Sequence, residues 1–235
     1  MSLITKTLLS VVFPTFCPVC NKKLTNTQDE ICEDCLSRLP RTNEVTIQGN
    51  MTEDKFQDFP NFIRGAAWLQ FSKNSEVSNL IHKFKYKKHP QIGYNLAREA
   101  VKEYISWDFF NTIDVIIPIP LHPKRLRERG FNQSEWIARG LSEETGIPCD
   151  TDHLKRIVDN AHQVSLIGLE RSQNVNDIFE VNHPEELYRK HILLVDDVIT
   201  TGATLRSCIM ATIPVRGCQI SVFALTKAEG RGVEK

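Results

Sequence analysis

The sequence predicts an α/β protein with a mostly parallel central sheet flanked by helices and a small N-terminal module that contains four cysteines. Short apolar runs that are typical of buried strands alternate with amphipathic segments that have helical spacing, which indicates a parallel sheet. Two of the apolar runs end in polar segments that have the composition of ligand sites. Two C-x-x-C sequences near the N-terminus indicate the separate module.

Composition limits the function classes. The chain has 235 residues, 41% of them hydrophobic, which is enough for one substantial core. It carries 29 basic and 29 acidic residues, so overall charge gives no argument for nucleic acid or membrane binding. Residues 3–13 are fairly apolar, but the run is short and no small-residue cleavage site follows, which favours a packed helix over an export signal. We expect a cytoplasmic protein with no membrane span.

The cysteines at the N-terminus form two pairs with metal-ligand spacing. Cys17 and Cys20 flank Pro18-Val19, and Cys32 and Cys35 flank Glu33-Asp34. Two such turns can present four thiolates to one zinc ion in a tetrahedral set. Two disulfides or a redox pair are the alternatives, but a reducing cytoplasm disfavours disulfides and redox pairs rarely occur in twos. We predict a structural zinc site, which would fold a segment too short to have its own core.

The chain divides into three predicted parts: a zinc-binding module over 1–40, a polar connector over 41–62 and the α/β domain over 63–235. Apolar periodicity places the elements of the last part, and Ser75 is a candidate N-cap. Strands are predicted over 63–71, 115–117, 192–195 and 219–225, and helices over 75–86, 96–105, 133–145, 166–171 and 203–212.

The most informative segment is I-L-L-V-D-D-V-I-T-T-G-A-T, from Ile192 to Thr204. An apolar strand is followed by Asp196 and Asp197, then by a hydroxyl-rich loop and a helix start. Ligands of α/β sheets lie beyond the carboxyl ends of strands, and a helix N-terminus suits a phosphate. The acids could accept hydrogen bonds from ribose hydroxyls or help to hold a divalent ion. The alternative is a simple turn with two solvent-facing acids.

A second segment follows the strand at 115–117 and should lie at the same edge of the sheet. It contains Lys124, Arg125, Arg127 and Arg129, a density of cations that suits a pyrophosphate. A solvated basic loop is the alternative, and the sequence does not decide which cations point inward.

The segment from Ile192 to Thr204 resembles the motif of the type I phosphoribosyltransferases, which bind phosphoribosyl pyrophosphate (PRPP). Together with the two cysteine pairs, P-I-P at 118–120 and R-G-F-N-Q at 129–133, it resembles the ComF family over nearly the whole chain. The segment L-I-H-K-F-K-Y at 80–86 and the spaced set Arg156, Gln163, Arg171 and Asn174 also match. Asn160 and Asp177 depart from the family pattern.

The resemblance implies a type I phosphoribosyltransferase fold that binds PRPP with Mg²⁺. Asp196 and Asp197 would hold the ribose, and Lys124 and Arg125 would stabilise the leaving pyrophosphate. The residues that would form the PRPP-binding segment are Asp196, Asp197, Val198, Thr200, Thr201, Gly202, Ala203 and Thr204. The zinc ligands would be Cys17, Cys20, Cys32 and Cys35.

The resemblance also implies a role in DNA uptake, with single-stranded DNA and a competence helicase as partners. The nearest physical hint is a basic run around Tyr86, at Lys83, Lys85, Lys87 and Lys88, which could bind a strand. A solvated helix end is the favoured reading of that run.

Two functions therefore remain: transfer of a phosphoribosyl group to an unknown acceptor, and a non-catalytic adaptor that senses PRPP or a nucleotide and binds single-stranded DNA and the helicase.

Overall fold

The computed structural model describes residues 15–24, 31–86, 89–158 and 178–228. The predicted N-terminal helix at 3–13 and the predicted helix at 166–171 lie outside these ranges. Within the described ranges, no helix combines the length and the apolar character that are needed to cross a bilayer.

A parallel four-stranded sheet forms the centre of the molecule, in the order β1-β6-β5-β2. A separate antiparallel pair is formed by β3 and β4. The strands are β1 (Phe62–Phe71), β2 (Val115–Pro118), β3 (Leu154–Arg156), β4 (Phe179–Val181), β5 (His191–Ile199) and β6 (Gln219–Ala228). All three strand pairings within the large sheet are parallel, as the sequence predicted.

Helices cover both faces of this sheet, and alternation along β5 shows how the faces divide. Leu193 and Val195 pack with α2, α3 and α5, while Ile192 and Leu194 pack with α6. The helices are α1 (Glu33–Arg38), α2 (Glu76–Tyr86), α3 (Pro90–Tyr104), α4 (Pro123–Arg129), α5 (Gln133–Thr145) and α6 (Ala203–Thr212). The predicted fold class, a parallel sheet flanked by helices, is confirmed.

Residues 41–62, predicted as a polar connector, pack closely against the sheet. Glu44 is 2% exposed and accepts hydrogen bonds from the Thr52 hydroxyl at 2.6 Å and the Ala67 amide at 2.9 Å. Its other oxygen is 2.5 Å from the ammonium of Lys227 at the end of β6. A buried carboxylate requires such compensation, and the ion pair fixes the segment on the sheet.

The predicted elements agree with the structure in kind, and the differences lie in their limits and in short elements. The helix predicted over 96–105 begins at Pro90. The segment containing Lys124 and Arg125 is a helix, not a loop. Pro123 occupies its first turn, the His122 ring accepts from the Lys124 amide, and Gly130 ends it in the left-handed region at φ 82°. The short strands β3 and β4 were missed because each has only three residues, too few to show a period.

Candidate functional site

Asp196 and Asp197 lie within the last part of β5, not beyond it. The strand was predicted to end at Val195, but it continues to Ile199, and Asp196 pairs with Ala224 of β6. Residues 195–199 alternate between buried and partly exposed side chains, which is the period of a strand. Both carboxylates therefore sit on a rigid element at the carboxyl edge of the sheet, where α/β proteins bind ligands.

Asp196 is held by two hydrogen bonds to the same oxygen. The Ser134 hydroxyl in the first turn of α5 donates to Asp196 Oδ1 at 3.1 Å, and the Asp197 amide donates to it at 2.9 Å. Burial, together with the neighbouring charge of Asp197, raises the pKa of Asp196 to about 7. A cation or hydroxyl donors from a ligand would favour the charged form of Asp196.

Ser134 is placed by the start of its own helix. The Asn132 side chain caps α5 by accepting from the Ser134 amide at 3.2 Å and donates to the Ile119 carbonyl at 3.0 Å. Asn132 of the R-G-F-N-Q segment therefore has a local structural role as the cap of α5. Ser134 itself was not predicted, because nothing in the sequence links it to an acid 62 residues away.

Asp197 is 7% exposed. It forms an ion pair with Lys85, which lies on a helix outside both predicted ligand segments. Lys85 Nζ of α2 lies 2.9 Å from Asp197 Oδ2, and the two side chains are 20% and 11% exposed. The backbone carbonyl of Asp197 accepts from the buried Thr226 hydroxyl at 3.1 Å. The sequence did not predict this use of Lys85.

The loop after β5 leads directly into α6 and presents hydroxyls to solvent. Thr200, Thr201 and Thr204 are exposed, and the Thr201 hydroxyl accepts from the Ala203 amide at 3.4 Å. The first turn of α6 supplies backbone N–H groups that have no partner within the helix. A helix start of this kind suits an anion, and the phosphate cradle stays a prediction. Val198, also predicted for the segment, is partly exposed in β5.

Gly202 is the N-cap of α6 and is required by two independent features. Its φ of 82° is in the left-handed region. A Cβ placed on it would lie 3.2 Å from Cζ of Phe56, which is fully buried. Residues 41–62 therefore form a wall against the phosphate loop, and no sequence signal linked them to it.

Arg206 attaches the same wall to α6. Its guanidinium donates to the Lys55 carbonyl at 2.6 Å and to Asp58 Oδ1 at 2.7 Å, and it lies 4.6 Å from the centre of the Phe59 ring. The ion pair lowers the pKa of Asp58. These contacts hold the beginning of α6 in place from outside.

The basic segment lines a cavity of about 400 Å³ whose wall includes Lys85, the partner of Asp197. We call it the basic cavity, and its lining residues are Lys85, Tyr86, Arg125, Glu128 and Arg129. Arg129 donates to Gln133 Oε1 at 2.8 Å and lies 5.8 Å from the centre of the Tyr86 ring. Of the two predicted pyrophosphate contacts, Arg125 lines the cavity and Lys124 does not. The volume is within the ~300–1,000 Å³ that ligand pockets occupy.

The basic run proposed for DNA binding has structural partners in its described part. Lys83 donates to the Pro18 carbonyl in the cysteine module, and Lys85 pairs with Asp197. Tyr86 is 61% exposed. Lys87 and Lys88 lie outside the described residues, and so do Gln163, Arg171 and Asn174 of the spaced set.

The four N-terminal cysteines converge as predicted. All are free, and their sulfurs lie within 4.8 Å of one another. A tetrahedral zinc site with ~2.3 Å bonds requires sulfurs about 3.8 Å apart, and Cys20 and Cys32 are separated by 3.6 Å. The set could hold a structural zinc.

The electrostatics differ from one cysteine of the module to another, and burial raises the pKa of Cys35 to about 12. Although burial opposes it, backbone hydrogen bonds from Cys20, Cys32 and Val19 lower the pKa of Cys17 to about 7. Thiolates are the ligand form of cysteine. The Arg38 guanidinium lies 3.4 Å from Cys35 Sγ and offers a positive charge to the cluster.

Comparison with solved structures gives partial likenesses. Glutamine PRPP amidotransferase from B. subtilis, complexed with ADP and GMP, matches with a TM-score of 0.41 and 19% identity, over 61% of this chain and 30% of that one. Adenine phosphoribosyltransferase from Leishmania tarentolae matches with a TM-score of 0.37 and 12% identity, over 72% of this chain and 92% of that one. No protein-family model matches the sequence.

Curated relatives match most of the chain. Competence protein F of Haemophilus influenzae is 29% identical over 221 residues, which is 92% of this chain and 86% of the relative. DNA utilization protein YhgH of Escherichia coli strain K12 is 26% identical over 90% of this chain and 89% of its own. Competence protein ComFC of Bacillus subtilis is 24% identical over 90% and 84%. These likenesses, each over most of the chain, support membership of the ComF family.

Proposed function

We propose that this protein binds PRPP and transfers its phosphoribosyl group to an acceptor. The observation that carries the proposal is the succession of two carboxylates at the end of β5, a Gly202-capped turn with exposed hydroxyls, and the start of α6. One end of this arrangement suits sugar hydroxyls and the other suits a phosphate. A ligand that carries both groups on one ribose satisfies it.

In this proposal each part of the donor has its own contacts. Thr200, Thr201, Thr204 and the backbone around Gly202 hold the 5′-phosphate, and the acid pair accepts from the ribose hydroxyls. The pyrophosphate lies toward α4, where Arg125 lines the basic cavity and Lys124 adds positive charge near by.

Mg²⁺ fits the acid pair by donor type, because two neighbouring carboxylates at the carboxyl edge of the sheet offer the oxygen ligands that it takes. Asp196 and Asp197 are the residues that would hold it, directly or through water. When bound, Mg²⁺ would neutralise charge on the pyrophosphate as it leaves.

Phosphoribosyl transfer depends on the kind of chemistry that this site offers. Departure of pyrophosphate leaves a cationic, oxocarbenium-like ribose, which needs positioning and charge stabilisation more than an activated nucleophile. The carboxylates of Asp196 and Asp197 orient the sugar and stabilise the positive charge that develops on it. Arg125 and Lys124 stabilise the negative charge that develops on the leaving group.

The names of the relatives support a role in competence or DNA utilization. We propose that the protein acts in DNA uptake, with single-stranded DNA and a competence helicase as partners. Lys83 and Lys85 are engaged in contacts within the protein. A DNA-binding surface built on the basic run would therefore depend on Lys87 and Lys88.

Labelled PRPP tests the proposal. The full chain would be incubated with Mg²⁺, PRPP labelled in the ribose and a panel of candidate acceptors, and released pyrophosphate would be measured. We expect acceptor-dependent release, with a fall of about 100-fold or more in Asp196→Asn. Glu99→Gln, which changes a partly exposed acid on α3, is the control and should keep full activity. Tight PRPP binding without release for any acceptor would identify the protein as a non-catalytic adaptor.

A further inference from the structure

A cation from outside both predicted ligand segments reaches the acid pair. Lys85 lies near the end of α2, and its ammonium is 2.9 Å from Asp197 Oδ2. The side chain is 20% exposed, and the exposed part lines the basic cavity with Arg125 and Arg129. Lys85 therefore faces a carboxylate on one side and an open cationic cavity on the other.

The chemistry of an ammonium group allows both contacts at once. It has three N–H donors, and the contact with Asp197 uses only one of them. A cavity wall that contains Lys85, Arg125 and Arg129, with Glu128 as its single acid, has a net positive charge. Such a wall suits an anion with several oxygens, because each cation can make a charge-assisted hydrogen bond.

Two neighbouring contacts keep this wall in place. Arg129 is fixed between Gln133 and the ring of Tyr86. On α2, the preceding lysine on the opposite side, Lys83, is bound to the Pro18 carbonyl of the cysteine module. The end of α2 is thus anchored on one side while Lys85 extends toward the acid pair on the other.

We infer that Lys85 is a direct ligand for the pyrophosphate of PRPP and binds it while remaining paired with Asp197. This inference rests on the proposed PRPP binding. Lys85 neutralises Asp197 next to an anionic ligand, so that the carboxylate can accept from the ribose without repelling the pyrophosphate. The helix α2 contributes a binding residue that the motif around Asp196 does not contain.

The test compares ligands with and without the pyrophosphate. Binding of PRPP, inorganic pyrophosphate and ribose 5-phosphate would be measured by calorimetry, at fixed free Mg²⁺, for the wild type, Lys85→Met, Lys85→Arg and Lys102→Met. Lys102 is an exposed lysine on α3 that pairs with Glu99, so its loss controls for charge alone.

We expect Lys85→Met to weaken PRPP and pyrophosphate binding by about 10- to 100-fold, which is the range for a lost charge-assisted hydrogen bond. The loss of affinity for ribose 5-phosphate should be at least about tenfold smaller. Lys85→Arg should recover part of the loss, and Lys102→Met should match the wild type. Equal losses for all three ligands would show that Lys85 acts only through Asp197, and unchanged PRPP binding would remove it from the site; either result overturns the inference.

Two further results keep the test decisive. If Lys85→Met does not fold, amine-specific labelling of the wild type replaces it: pyrophosphate should protect Lys85 and leave Lys102 reactive, and equal labelling of Lys85 with and without pyrophosphate contradicts the inference. If the wild type binds no PRPP, both the proposed function and the inference are refuted. If the wild type and Lys85→Met bind PRPP with equal affinity, only the inference is refuted.

Discussion

Gly202 faces the ring of Phe56 so closely that a Cβ on the glycine would lie 3.2 Å from Phe56 Cζ. The phosphate loop and the segment at 41–62 therefore pack closely here, and a side chain at this position would displace the Phe56 ring by a few tenths of an ångström. Because Gly202 also has a φ of 82°, any side chain there meets two costs, one in the backbone and one in packing.

Gly202→Ala should lower the free energy of unfolding by about 2–3 kcal/mol, from backbone strain of ~1 kcal/mol and displacement of the Phe56 ring. Gly130→Ala is the matched control, because Gly130 has the same φ of 82° and nothing within 4 Å of a Cβ. Urea unfolding of both variants measures the difference, and equal losses would show that the Phe56 contact contributes nothing.

The acid pair makes stability depend on pH. Burial and Asp197 raise the pKa of Asp196 from 3.8 to about 7, so the folded state binds more protons than the unfolded state between these values. Stability that Asp196 contributes is present below pH 3.8 and is lost as the pH rises through about 7. Asp196→Asn should therefore gain about 4 kcal/mol relative to the wild type between pH 4 and pH 8. A difference between the two proteins that stays constant with pH would contradict this.

His191 should produce the opposite dependence. Burial lowers its pKa from 6.5, and its ring nitrogens contact the Thr112 hydroxyl at 3.0 Å and the Ser221 hydroxyl at 2.9 Å. The unfolded state binds the proton more readily, so stability is present above pH 6.5 and is lost as the pH falls through the lowered value. His191→Gln should remove this part of the acid sensitivity in urea unfolding between pH 7 and pH 5. His183→Gln changes an exposed histidine, and a similar effect there would show that burial is not the cause.

The sequence predicted the parts of the fold that depend on local patterns. Helices α5 and α6 begin and end at the predicted residues, since Asn132, Gly146 and Gly202 mark their ends. Helix α4 was missed because its cations hide any apolar period, although Pro123 and Gly130 were visible signals.

The site was predicted less completely, for a physical reason. The acids and the hydroxyl loop are contiguous in the sequence, so their spacing carries information. Lys85, Ser134 and Phe56 reach them from other elements, and such contacts depend on tertiary packing that a single sequence does not encode in a local pattern.

The metal site gives a prediction that does not depend on PRPP. We expect one zinc per chain, and Cys32→Ser should lower the zinc content several-fold, because three thiolates bind zinc more weakly than four. Cys149→Ser changes a cysteine outside the cluster and should retain the metal. Elemental analysis of the purified variants decides it, and full zinc content in Cys32→Ser would exclude a site that needs all four cysteines.

Glu128 offers a change that should improve binding. It is the acid among the residues that line the basic cavity, so Glu128→Gln removes repulsion of an anion there. We expect pyrophosphate affinity to rise by about two- to fivefold and the gain to shrink at high salt. Glu143→Gln on α5 is the control, and weaker binding in Glu128→Gln would show that the cavity does not take the anion.

Binding of PRPP by the segment from Asp196 to Thr204 underlies the proposed activity. Calorimetric titration of the full chain with PRPP and Mg²⁺ tests it most directly, with the wild type and Asp197→Asn side by side. We predict one PRPP per chain for the wild type and an affinity at least about tenfold lower for the variant, because a carboxylate that accepts from the ribose is lost. Equal affinity in the two proteins, or no binding to the wild type, would contradict the account.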